Sequence, residues 1–257
     1  MLSIIIPAYK AQDFILDTIR GFQNQTISIE YEIIVVVDGC IDTLTVLNDI
    51  DEPRLRVYYC DENKGRYSCT NTGIDLALGL EYLFWDADDI AFNNLFEELG
   101  KCDDDADIIQ FKYQRFHEVI EKKLNDVESG SYPDNPFTYK KVQKREGRIL
   151  NDYANGILYM KRIVIDSLGG YEDWKCSADT EFLKRVDYFN FKHIRIDKPL
   201  FLYRQHKGSL TSTVASERRR KYGEIIKNKN YTDDNVYVHK IMNIGIIIPM
   251  NSINAND

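Results

Sequence analysis

The chain has 257 residues, 44% of them hydrophobic and 29% charged, which suits one large globular domain or one with an appendage and excludes a disordered chain. A formal net charge of -8 argues against a protein that coats nucleic acid, although local basic patches stay open. Five cysteines without CxxC spacing suggest neither a disulfide framework nor a zinc site, so a reducing cytoplasm is the simplest setting.

The start of the chain lacks the basic flank and small-residue cleavage site of a signal peptide. "LSIIIP" (2–7) reads instead as a buried β-branched strand ended by Pro7. "AQDFILDTIRGFQNQ" (11–25) carries Phe14, Ile15, Ile19 and Phe22 at helical spacing. "YEIIVVVDG" (31–39) is the next strand, and a helix follows from Asp42. "LRVYYC" (55–60) is a third strand, and "GRYSCTNTGIDLALG" predicts a helix opening after Gly65 and closing near Gly79. "EYLFWD" (81–86) is a fourth strand; "NNLFEELGK" is a helix and "DIIQFKYQ" another strand. Strand–helix alternation with short connections predicts a parallel sheet covered by helices on both faces. No segment reaches the roughly 18 apolar residues of a membrane span.

Ligands of such sheets collect at the carboxyl ends of the strands. Pro7-Ala8-Tyr9, Asp38-Gly39 and Asp86-Ala87-Asp88-Asp89 each lie at such an end. Buried carboxylates are costly unless paired or bound to metal, so Asp86 and Asp88 are candidates to hold a divalent cation and through it a diphosphate. The same residues also fit a solvated turn, because short D-x-D matches are common. "CDDDAD" (102–107) is equally acidic but follows a helix, and there the surface turn is the better reading.

"SIIIPAYK", "EIIVVVDGCID", "DENKGRYSCTNTGIDLALG" and "LFWDADD", in this order, closely resemble the front half of family 2 glycosyltransferases of the GT-A fold. "LGGYEDW", "SADTEFLKR" and "KPLFLYRQHKGSLT" resemble the acceptor-side and closing motifs of that family. The resemblance spans residues 1 to about 213. It implies a GT-A, Rossmann-like, mostly parallel sheet flanked by helices. The nucleotide-sugar half would be 1–100, the acceptor half 101–213, and 214–257 a C-terminal basic helix and tail.

The resemblance also implies roles. Pro7, Ala8 and Tyr9 would line the base pocket, and Asp38 would accept a hydrogen bond from uracil. Lys64, Gly65 and Arg66 would run along the nucleotide, supported by Asn71. Asp86 would face the ribose with Ala87 beside it, and Asp88 would bind Mn2+ or Mg2+ with Asp86 close by. Asp179 matches the general base of a Glu-Asp pair, although Ala178 departs from the usual Glu, and Arg185 matches a frequent basic position. A first-turn carboxylate of a helix is the structural alternative for Asp179, and Asp173 is the second candidate base. His206 matches a position that completes the metal or diphosphate site. Arg204, Lys207 and Ser209 would contact phosphate oxygens, since Arg and Lys supply charge-assisted donors. His117, His193 and His239 read as structural.

"SERRRKYGEIIKNKN" (216–230) predicts a basic helix with Tyr222, Ile225 and Ile226 on one side. It either packs across the domain or offers a platform to an anionic acceptor. "IGIIIPM" (244–250) reads as a strand or partner-binding segment. The Q-x-x-R-W motif and transmembrane helices of processive synthases do not occur. The expectation is therefore a cytoplasmic, metal-dependent, inverting, non-processive glycosyltransferase using a nucleotide sugar, a UDP-sugar first, on a glycan or cell-surface polymer precursor. The alternatives are the same chemistry on hydroxymethylated phage DNA and a non-catalytic binding module. The sequence leaves the oligomeric state open.

Overall fold

A computed structural model describes residues 1–102, 104, 106–117, 153–206, 216–229 and 231. The chain begins β1 (Leu2–Ala8), α1 (Ile15–Gln23), β2 (Tyr31–Asp38), α2 (Ile41–Asn48), β3 (Leu55–Cys60), α3 (Arg66–Leu76) and β4 (Glu81–Phe84). There follow β5 (Ile90–Ala91), α4 (Leu95–Gly100), β6 (Ile108–His117), β7 (Leu158–Lys161), α5 (Arg162–Leu168), α6 (Ala178–Tyr188), β8 (His193–Gln205) and α7 (Ser216–Asn228). One sheet runs in the order β3-β2-β1-β4-β7-β6-β8-β5. β1 to β4 pair in parallel, as does β6 with β8, whereas β7 and β5 join antiparallel. Among the described residues no helix is long and apolar enough to cross a membrane.

Successive side chains of β1 and β2 feed two cores, as the two-residue period of a strand requires. Ile4, Ile6, Val35 and Val37 pack with Ile15, Ile19 and Phe22 of α1. Ile5, Ile34 and Val36 pack on the other face with residues of α3, α5 and α6, Phe182 among them. Every residue of β2 is buried, which explains why 33–37 is one continuous apolar run rather than an alternating one, while its two buried acids find partners, Glu32 at Ser3 and Asp38 at the Lys64 amide.

The structure trims several expectations. α1 begins at Ile15, not near Ala11. α3 ends at Leu76, short of Gly79, because Ala77 turns extended. The next amides then go to side chains, Leu78 N–H to Glu32 Oε1 at 2.7 Å and Gly79 N–H to Ser3 Oγ at 2.9 Å. β4 stops at Phe84; the Trp85 N–H still bonds to Ile5 O of β1 at 3.0 Å, and Asp86 enters the loop that carries the acids. Of the acidic stretch 102–107, Asp104 is an exposed turn residue, while 103 and 105 lie outside the described residues. So do 244–250, Lys207, Ser209 and His239, together with the side chain of His117. His193 is held near Asp187, Nδ1 to Oδ1 3.6 Å, and burial pushes its pKa down.

Candidate functional site

The acids after β4 are held in a tight turn, Asp89 N–H bonding to Asp86 O at 3.3 Å. Asp86, Asp88 and Asp89 bring one carboxylate oxygen each to within 4.8 Å of one another. Asp89 is fully buried; its Oδ1 accepts the Arg204 backbone N–H at 2.7 Å, and its Oδ2 has no hydrogen-bond partner among the described residues. Burial, then the neighbouring charges of Asp88 and Asp86, pushes the Asp89 pKa well up. Burial likewise pushes Asp86 up to about 6, against the pull of Arg66. His206 Nε2 stands 2.8 Å from Asp88 Oδ2, its ring 4.6 Å from that of Phe14. Crowded carboxylates, one with an orphaned buried oxygen, and an imidazole at their edge fit a hard divalent ion such as Mn2+ or Mg2+.

Across from this cluster stands Asp179 in the first turn of α6, its Oδ1 accepting the Thr180 N–H at 2.7 Å. Arg66 lies between the two. Its Nη1 donates to Asp86 Oδ2 at 3.0 Å, and its Nη2 pairs with Asp86 Oδ1 and donates to Gly156 O at 3.2 Å. A Cβ on Gly156 would lie 2.4 Å from Arg66 Nη2 and 3.4 Å from Asp179 Oδ2, so only glycine leaves room for this arrangement. Burial, then the nearby Asp179 charge, holds the Tyr67 phenol protonated well above its usual range. Pro7, Arg66, Tyr67, Gly156, Tyr171 and Asp179 line one small pocket of about 10 Å³. A roomier cavity of about 320 Å³ opens at the amino ends of the strands, beside Met1, Leu2 and Glu81, and contains none of these groups.

Ala178, where the family resemblance leads one to expect Glu, is fully buried against the α6 core, so a carboxylate there would be desolvated. Asp173 is exposed in the turn before α6. Arg185 is buried and holds that turn, donating to Leu168 O at 2.7 Å and Gly170 O at 2.8 Å. Asn71 exchanges two 2.8 Å bonds with the backbone of Tyr171, tying α3 to the same turn.

On the nucleotide side, Asp38 is buried at the end of β2. Its carboxylate accepts the backbone N–H groups of Lys64 at 2.7 Å and Gly65 at 3.0 Å. Gly39 has φ +65°, and a Cβ there would meet Asn63 N at 2.8 Å, so glycine lets the two loops close on each other. Pro7 borders the small pocket, Ala8 is buried and Tyr9 is exposed beside it. Ala87 is buried in the acid turn.

Arg204 is held within the protein behind the acid turn. It is 1% exposed, its Nε donates to Asp88 O at 2.8 Å and its Nη2 to Asp17 Oδ2 at 3.0 Å. Tyr67 and Gly156 are site residues that sequence reasoning did not pick out, and Asp89 was read only as the last acid of "DADD", with no role of its own.

Residues 3–168 match the sequence model of Glycosyl transferase family 2. A Haemophilus influenzae protein described as an uncharacterized glycosyltransferase is 26% identical over 255 residues, covering 94% of this chain and 75% of its own. The chain spans as little as 20% of the length of other curated relatives it matches. Among solved structures, S. aureus TarS 1-349 in complex with UDP-GlcNAc superposes with a TM-score of 0.64 at 20% identity, over 91% of this chain and 68% of that one. The mannosyltransferase PcManGT from Pyrobaculum calidifontis, in complex with GDP-Man and Mn2+, superposes with a TM-score of 0.63 at 12% identity, over 90% and 65%. At these identities the structural likeness establishes a shared fold.

Proposed function

The chain belongs to glycosyl transferase family 2, and on that premise we propose that it is a metal-dependent, inverting, non-processive transferase. It moves a sugar from a nucleotide sugar, a UDP-sugar first, to the hydroxyl of a glycan or cell-surface polymer precursor. The observation that carries the reading is the convergence in one strand-end crevice of the Asp86–Asp88–Asp89 cluster and Asp179, on the two flanks of Arg66.

In this reading Asp88 and His206 would hold a divalent ion with Asp86 close by, and the buried oxygen of Asp89 that lacks a partner among the described residues lies behind them. The bound ion supplies a Lewis acid for the charge that gathers on the departing diphosphate. Asp38 receives the uracil N–H on a lone pair that Lys64 and Gly65 leave free. Pro7, Ala8 and Tyr9 border the base, and Lys64, Gly65 and Arg66 follow the nucleotide. Asp179 takes the acceptor hydroxyl proton as that oxygen bonds to the anomeric carbon and the bond to diphosphate breaks. One displacement inverts the configuration. The UDP preference draws on the UDP-GlcNAc bound by TarS, and the metal on the Mn2+ of the Pyrobaculum enzyme.

Residues 1–213 form the transferase unit of this reading, with 214–257 an appendage and the cytoplasm its setting. A nucleic-acid acceptor is the less favoured alternative; the apolar side of α7 packs on the domain, Tyr222 on Trp174 with ring centroids 5.0 Å apart. The test is hydrolysis of a panel of UDP- and GDP-sugars with Mn2+ and with EDTA. Release of UDP that needs the metal supports the reading. Full activity in excess EDTA, or a clear preference for GDP-sugars, rejects the corresponding part.

A further inference from the structure

The carbonyls of the acid turn are bound from two sides. Thr18, fully buried on α1, places its hydroxyl 3.0 Å from Ala87 O and 2.9 Å from Asp89 O. Arg204, near the end of β8, donates Nε–H to Asp88 O at 2.8 Å, and its backbone N–H goes to Asp89 Oδ1 at 2.7 Å. Three successive carbonyls, 87, 88 and 89, are thus met by donors, the single Thr18 hydroxyl hydrogen being shared between 87 and 89. Trp85 adds an indole N–H to Asp89 O at 3.1 Å. The two clamps are themselves joined, since Asp17, next to Thr18, pairs with Arg204 Nη2 at 3.0 Å. Arg204 also stacks over Phe14, 4.9 Å from its ring centroid, and Phe14 packs on His206.

We infer that Thr18 and Arg204 are positioning residues that fix the backbone on both sides of Asp88 and bring His206 to it, so that the carboxylate and the imidazole meet a divalent ion already arranged. The inference rests on the proposed metal reading. A turn of acids repels itself, and without restraint its carboxylates would spread toward water. The clamp opposes that spreading through neutral peptide carbonyls and through Asp89 Oδ1, and it takes no carboxylate oxygen of Asp88. Arg204 therefore serves the site from behind and not as a phosphate ligand. Groups that orient metal ligands from outside typically change affinity about 10–100-fold when removed.

The experiment measures free Mn2+ by electron paramagnetic resonance during titration of the full chain, with no nucleotide or acceptor present. Thr18→Val keeps the shape and removes the hydroxyl; Thr18→Ser keeps the hydroxyl. The expected result is Mn2+ affinity about 10-fold or more weaker in Thr18→Val and parent-like in Thr18→Ser. Asp17→Asn, at a partly exposed position, should weaken Mn2+ in the same direction and serves if Thr18→Val does not fold. Parent-like affinity in Thr18→Val, or in Asp17→Asn where Thr18→Val does not fold, overturns the inference. Absence of saturable Mn2+ binding in the parent instead overturns the metal reading and this inference with it, while loss in Asp88→Ala alone keeps the reading and removes only the clamp.

Discussion

Asp38 lends itself to a quantitative test. Both carboxylate oxygens accept backbone N–H groups, from Lys64 at 2.7 Å and Gly65 at 3.0 Å, and the side chain is buried. Asp38→Asn keeps the size but turns one acceptor into an N–H2 donor. One of the two amides then faces a donor and is left unsatisfied, which costs about 1–3 kcal/mol. For a chain of this size each kcal/mol moves the melting temperature by about 2–4 °C, so parent and variant should separate by about 2–12 °C. The loop released is the one that starts α3 and aims Arg66 at Asp86, so damage at the base pocket should reach the acid cluster. Circular-dichroism melts give the first number, and calorimetry with UDP gives the second. UDP affinity should fall by about ten-fold or more, since about 1.4 kcal/mol is one decade. Melting curves that superimpose would refute the clamp, and unchanged UDP affinity would refute the base contact.

Gly156→Ala would drive a methyl into Arg66 Nη2, and displacement of Arg66 should lower turnover by about 10²-fold in a folded protein, checked by sugar transfer or donor hydrolysis. Lys229 donates to Glu172 Oε1 and to the buried Glu181 Oε1, both at 2.7 Å, so Lys229→Met should lower the melting temperature by leaving a buried carboxylate short of a partner. Hydrogen bonds from Arg54, opposed by burial and aided by Gln23, hold Glu52 down to about 2 from an ordinary 4.5. The unfolded carboxyl takes up its proton near 4.5 and the folded one only near 2. This stabilisation is therefore present above 4.5 and is lost as pH falls through that window. Urea melts across it should show a slope that Glu52→Gln reduces.

The front of the sheet was legible because burial writes itself into composition. β1 and β2 follow the apolar runs closely, since strands buried on both faces carry few polar positions, and β3 follows its run although it is a half-buried edge strand that holds Arg56. β5 and β7 were not legible, at two and four residues, because their strand character comes from partners far along the chain, Phe201 and Leu202 for β5 and Tyr82 to Phe84 for β7. The acids, Asp179 and His206 were visible as ordered motifs at strand and helix ends. Thr18, Tyr67 and Gly156 were not, because a buried threonine, a tyrosine and a glycine acquire their roles only from what folding brings against them. The contacts of Arg204 with Asp17 and the Asp88 carbonyl were hidden for the same reason: they join residues far apart in the chain.

The most direct test of the proposed mechanism compares Asp179→Asn with the parent in one set of preparations. Turnover, UDP affinity and Mn2+ affinity are measured together, and the parent's product is examined by NMR at its anomeric centre. Asparagine keeps the size of the side chain but cannot take the acceptor proton. Turnover should fall about 10²–10⁴-fold, UDP and Mn2+ should bind as before, and the product should carry the inverted configuration. Near-normal turnover in Asp179→Asn would remove Asp179 from the chemistry and promote Asp173, and a product that retains the donor's configuration would contradict the single displacement itself.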